Sequence, residues 1–171
     1  MRGHFCQIGC RIACVLFISF CLFSCSTNEL ILRSKQIIMP DSCTVLDSTS
    51  KYVFIHIVRN QSCTQCSVES LYQWNNVLSM IGRDDISYLF VVETREEDTP
   101  EIIQESLERR PFAQPLFIDY KHDFIRCNRW MNHRKWNNIN DFLIEPKGHI
   151  LAVGDPMNDL CFLKTIKIFG K

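Results

Sequence analysis

The sequence predicts an α/β protein with a mixed central sheet and helices on both of its faces. Three observations carry that prediction. Tyr52–Val58, YVFIHIV, is mostly β-branched and aromatic, the mark of a strand buried on both faces. After it, Val68, Leu71, Leu78 and Ile81, with Trp74 between them, recur near helical spacing. Strands and helices then alternate to the C-terminus in the order β-α-β-α-β-α-β-β-α.

The chain opens on Arg2, Arg11 and the apolar run Ile12–Phe23. That run is too short to span a bilayer, which takes about 20 residues, and has the form of a signal-peptide core. It ends in Leu22-Phe23-Ser24-Cys25, which resembles the bacterial lipobox: an aliphatic residue, a variable one, a small one, then cysteine. The resemblance implies that residues 1–24 are a lipoprotein signal peptide and that Cys25 carries the lipid. The protein would then be anchored in the bacterial cell envelope, facing the periplasm. Residues 25–36 read as a tether, and residues 37–171 as one domain with a proper core.

Loss of the signal removes Cys6, Cys10, Cys14 and Cys21, and lipid takes Cys25, leaving Cys43, Cys63, Cys66, Cys127 and Cys161. The whole chain balances 19 basic against 19 acidic residues; without Arg2 and Arg11 acids lead by two. Nothing in that charge points to nucleic acid.

Within the domain, Ile37–Met39 and Thr44–Leu46 suggest short edge strands. Ile86–Val92 reads as the second central strand, parallel to the first because a helix joins them. Thr99 caps a helix with Pro100 at its first position, ending near Arg109-Arg110. Leu116–Asp119 is a strand, and a short helix follows from Lys121 to about Met131. Phe142–Glu145 and Ile150–Val153 form a hairpin around Pro146-Lys147-Gly148-His149. Asn158 caps a last helix with Leu160, Leu163, Ile166 and Phe169 on one face.

Between the first strand and the first helix stand Cys63 and Cys66, with Ser62 before them as N-cap. A C-x-x-C where a strand turns into a helix is a redox arrangement. At the helix start, free N–H groups and the dipole favour a thiolate, so Cys63 would be the nucleophile and the more exposed, more acidic thiol. One turn on, Cys66 would resolve its mixed disulfide. The pair also admits a static disulfide, or half a metal site. A zinc ribbon would want a second close cysteine pair, and Cys127 and Cys161 are single.

Three stretches tie the chain to a known superfamily. Cys63–Glu69 reads C-x-x-C-x-x-E; Leu116–Asp119 is followed by Phe124; and Phe142–Ile150, FLIEPKGHI, is followed by Gly154. In these it resembles the thioredoxin-like redoxins of the TlpA-type and AhpC/TSA-like groups, over residues 37–171. The resemblance implies a three-layer α/β/α thioredoxin-like fold and a thiol–disulfide oxidoreductase that needs no cofactor or metal. Its partners would be protein dithiols and disulfides, and it would act as a monomer. It also implies that Glu69 helps move a proton off a buried Cys66. His56 would be a proton acceptor near the pair, against the plainer reading of a satisfied core histidine.

Two departures stand out. Ser62 occupies the place of the family's tryptophan. Ile139-Asn140-Asp141 occupies the place of its cis-proline, so the loop is expected to be trans. With Asp141 in that loop, a carboxylate would face the pair. Cys43, Cys127 and Cys161 read as single buried thiols, with Cys127 alternatively an extra resolving cysteine. The basic and aromatic stretch Arg126–Trp136 reads as a solvated helix end and loop, or a docking surface. Two rival functions remain: a redox-silent thioredoxin-fold lipoprotein that binds a protein or peptide, and a thiol peroxidase. The proline and threonine typical before a peroxidatic cysteine are absent here.

Overall fold

Tyr52–Val58 (β1) lies at the centre of a five-stranded sheet, as its unbroken apolar run requires. The structure is a computed structural model and describes residues 34–43, 50–59 and 63–168. The signal segment, Cys25, most of the tether, Thr44–Leu46, Ser62 and Phe169 lie outside the described residues.

From β1 the chain enters α1 (Thr64–Ser70), passes a 3-10 turn (Leu71–Gln73) and continues as α2 (Trp74–Ile81). Gly82 ends α2 at φ 54, a left-handed cap whose N–H returns to Leu78. β2 (Ile86–Glu93) runs parallel to β1, from Tyr52↔Ile86 to Val58↔Val92. Thr99 and Pro100 open α3 (Pro100–Arg109) as predicted, with Thr99 Oγ1 accepting the Ile102 N–H. β3 (Leu116–Asp119) is parallel to β2.

The sheet order is β3-β2-β1-β4-β5. The steps β1→β2→β3 go the same way, so two right-handed crossovers place α1–α2 and α3 on one face. There Val68, Trp74, Ile103, Phe54 and Phe90 share one core cluster. Phe54 and Trp74 rings lie 5.7 Å apart, and Trp74 meets Phe90 edge-on at 5.4 Å.

α4 (Asp123–Cys127) and a 3-10 turn (Arg129–Asn132) cover the opposite face. The helix starts at Asp123 rather than Lys121, because the Asp119 carboxylate accepts the Asp123 and Phe124 N–H groups at 2.7 and 3.0 Å. The stretch Arg126–Trp136 is not simply solvated. Met131 and Trp136 are buried, and Trp130 packs edge-on against Phe142 at 6.1 Å. Its arginines and Lys135 stay outside, so the interleaving reflects one face on the sheet and one in water.

β4 (Asp141–Ile144) is antiparallel to β1, and β5 (Ile150–Val153) to β4. At the hairpin Gly148 adopts φ 89, and a Cβ there would meet the Ile37 carbonyl oxygen at 2.1 Å. Ile37–Met39 does not form a strand; Gln36 makes a single bridge to His149. The Asn128 side chain, not a neighbouring strand, satisfies Ile38: its Oδ1 accepts the Ile38 N–H and its Nδ2 donates to the Ile38 carbonyl, both at 2.8 Å.

α5 (Leu160–Ile168) is capped by Asp159, whose Oδ1 accepts the Phe162 N–H at 3.1 Å. Asn158, the predicted cap, instead donates to Asp155 at 2.6 Å. The buried stripe is Phe162, Leu163 and Ile166, while Leu160 is 69% exposed. With Asp159 as cap, Leu160 falls in the first turn, pointing away from the sheet.

Candidate active site at the start of helix α1

Cys63 and Cys66 form a disulfide with Cα atoms 5.3 Å apart. Cys63 itself is the N-cap of α1, with extended φ −148 and ψ 100. Its Sγ accepts the backbone N–H of Cys66 at 3.2 Å. The cap is therefore Cys63, the expected nucleophile, and not Ser62 as the sequence suggested. The same N–H that now meets a disulfide sulfur would meet a thiolate after reduction.

Exposure runs opposite to expectation. Cys63 is half-buried and Cys66 is exposed. The reason lies in helix phase: Thr64, Val68 and Leu71 form the buried stripe of the turn. Cys66, two residues from Thr64, falls on the opposite side. Glu69 therefore does not serve a buried cysteine.

Thr64 is 3% exposed, and its hydroxyl donates to Asp98 Oδ2 in the loop between β2 and α3. The same oxygen accepts the Arg95 backbone N–H at 2.6 Å, and the Arg95 guanidinium lies 3.5 Å from Oδ1. Burial opposes the charge of Asp98. The hydrogen bonds from Thr64 and Arg95 outweigh it and hold the carboxyl below its usual range. Asp98 was not singled out from sequence. In the run Arg95-Glu96-Glu97-Asp98 it looks like one more solvated acid, and only its place before the cap Thr99 sets it apart.

His56 and Asp141 are cross-strand partners on β1 and β4. His56 Nδ1 lies 2.7 Å from Asp141 Oδ1, and the imidazole packs against Trp74 at 4.4 Å and Phe90 at 5.5 Å. Burial pushes the Asp141 carboxyl up, and the His56 hydrogen bond partly offsets this. Asp141 is thus the first residue of β4, turned to His56. It is not the open-loop carboxylate that the sequence suggested. Pairing with β1 extends the strand: the Ile57 N–H reaches the Asn140 carbonyl at 2.8 Å.

The segment before β4 has no cis peptide bond among the described residues. Arg59, just past β1, holds it. Its Nε donates to Asn140 Oδ1 at 3.1 Å, Nη1 to Asn132 Oδ1 and Nη2 to the Ile139 carbonyl, each at 3.3 Å. Beside this loop is a cleft of about 190 Å³ reaching Asp141 and Asp155.

Glu69 is half-buried and spans α1 to α3. It accepts Arg109 Nη1 at 3.2 Å and Gln65 Nε2 at 3.4 Å. Cys43 is buried, but Cys127 is exposed at the end of α4, so the uniform reading of buried thiols fails there. The Cys161 side chain lies outside the described residues. Among the described residues, no three His, Cys, Asp or Glu side chains group as metal ligands.

No family model matches the chain, and neither does any curated protein. Solved structures do resemble it. One is a thioredoxin-like protein solved in solution in its oxidised form. It is 20% identical, the match covers 76% of this chain and 85% of that one, and the TM-score is 0.50. StoA from Bacillus subtilis is 18% identical over 63% of this chain and 75% of its own, with TM-score 0.45. Peroxiredoxin Q from Xanthomonas campestris is 17% identical over 72% and 82%, with TM-score 0.47. Identities this low speak for the fold alone. The sheet order, the paired crossovers and the first of these likenesses make the fold thioredoxin-like. A Cys-x-x-Cys disulfide sits at the start of its first helix.

Proposed function

We propose that the chain is a thiol–disulfide oxidoreductase of the bacterial envelope, tethered by lipid on Cys25 and facing the periplasm. The observation that carries this reading is the Cys63–Cys66 disulfide with the Cys66 N–H on Cys63 Sγ. In the reducing direction, the Cys63 thiolate attacks one sulfur of a substrate disulfide. An S–S bond forms between Cys63 and substrate, and the other substrate sulfur leaves as a thiolate and takes a proton. The Cys66 thiolate then attacks Cys63 Sγ, closing the pair's disulfide and releasing the second substrate thiol. Two electrons move from the pair to the substrate, and no cofactor enters. Oxidation of a dithiol is the same sequence reversed. In this reading His56, backed by Asp141, handles protons near the pair, while Glu69 ties α1 to α3 through Arg109. Its partners are protein dithiols and disulfides.

Turbidity of insulin during its reduction tests the reading. Wild type should accelerate it and Cys63→Ser should not. Equal rates would favour the redox-silent partner-binding role. Tethering is tested separately: Cys25→Ala should leave the membrane fraction, and wild type should carry lipid on Cys25 by mass spectrometry.

A further inference from the structure

We infer that Asp98 is a positioning residue that sets the reactivity of Cys63, acting through Thr64 at the start of α1. Its functional consequence rests on the oxidoreductase reading; its test does not. Thr64 stands between the two cysteines, and its side chain turns inward rather than toward them. Its hydroxyl donates to Asp98, whose side chain is 3% exposed. The Arg95 N–H pins the same oxygen. A carboxylate is thereby fixed against the turn whose Cys66 N–H serves Cys63 Sγ.

A charge fixed there opposes a second negative charge on Cys63. Other groups nearby are already engaged. Arg95 divides its guanidinium between Asp98 and Glu97, Glu69 is paired with Arg109, and Asp141 with His56. Destabilising the thiolate destabilises the reduced pair, so the disulfide is favoured and the pair gives up electrons more readily. The substrates this chemistry selects are disulfides to be reduced, rather than dithiols to be oxidised.

The test uses the full chain, reduced and then alkylated with iodoacetamide at fixed, mildly acidic pH. Asp98→Asn keeps an acceptor for Thr64 but removes the charge. It should speed alkylation of Cys63 about tenfold. It should also shift the equilibrium with glutathione about tenfold toward the dithiol, roughly 30 mV more oxidising. Glu97→Gln removes an equal charge from an exposed neighbour and should change neither. An Asp98→Asn effect no larger than that of Glu97→Gln overturns the inference. If Asp98→Asn does not fold, Thr64→Val serves instead: losing its donor, Asp98 turns toward Arg95, and Cys63 alkylation should rise. An unchanged rate overturns the inference. Insulin reduction by wild type decides the oxidoreductase reading independently, since alkylation needs no substrate turnover.

Discussion

His56 Nδ1 sits 2.7 Å from Asp141 Oδ1 across the β1–β4 pair, on the sheet face that carries α1 and α2. The pair is nearly enclosed, with side-chain exposures of 16% and 6%. The plainer reading of His56, a core histidine with its hydrogen bond met, fits this packing.

The pair makes stability depend on pH. Burial raises the Asp141 carboxyl above 3.8, so the native state holds this proton more tightly than the unfolded chain. The group's contribution to stability is therefore greatest below 3.8 and declines as pH rises through its native value. His56→Phe fills the space against Trp74 but strands the carboxylate. The loss should be about 3 kcal/mol near neutral pH and shrink in acid, as pH falls through the raised native value of Asp141. Urea unfolding at neutral and at acid pH measures it. Equal losses at both would mean that packing, not the ion, is what His56 supplies.

Cys63 and Cys66 divide the hydrogen bond from the access. Cys66 is exposed, while Cys63 is half-buried but receives the Cys66 N–H. Thiolate fraction governs alkylation, and each unit between the two pKa values is worth about tenfold. At mildly acidic pH, Cys63 should be labelled first in the reduced protein, as mass spectrometry of the two cysteines would show. Faster labelling of Cys66 would mean that access outweighs the hydrogen bond and that the two roles are exchanged.

Much of this fold is written in local signals. β1, β3 and β5 have the predicted bounds, because a short β-branched run or a turn fixes each. Thr99-Pro100 marks α3 in the same local way. What sequence did not reveal depends on distant partners. Ile38 looks like a strand residue until Asn128, 90 positions away, meets its backbone. Asp141 looks like a loop residue until β1 draws it into β4. The cysteine pair was plain from its spacing. Which of the two faces water follows the phase of the Thr64, Val68 and Leu71 stripe, but the acceptor that lets a buried Thr64 join it, Asp98, lies 34 positions on.

The docking of Ile37 under the hairpin gives a stability test. Gly148→Ala would place a methyl 2.1 Å from the Ile37 carbonyl at φ 89. The cost should exceed about 1 kcal/mol, since alanine resists positive φ even without a clash. Chemical denaturation reads it. A neutral change would show that residues 36–38 do not pack on the hairpin.

Arg59 braces the loop before β4. Three donors of one guanidinium reach Asn140, Asn132 and the Ile139 carbonyl, all neutral acceptors. Burial draws the Arg59 pKa down and Glu93 works against this, yet a guanidinium stays charged in any folded protein at neutral pH. Hydrogen bonds to a charged donor are each worth about 1.5–3 kcal/mol, less what water returns when the side chain is only half-buried. Arg59→Met keeps much of the stem's packing and removes all three bonds. Stability should fall by about 2 kcal/mol. Arg59→Lys should recover only part of that, because one ammonium cannot span three acceptors in a fixed fork. The loop should also loosen locally. The Ile57 N–H, bonded to the Asn140 carbonyl at 2.8 Å, reports this through amide hydrogen exchange. Faster exchange at Ile57 than at Phe54, on the same strand but paired with Leu143, would place the brace at the loop. Uniform acceleration along β1 would instead mean that Arg59 supports the whole sheet. No acceleration would mean that the backbone pairing of β4 holds the loop unaided.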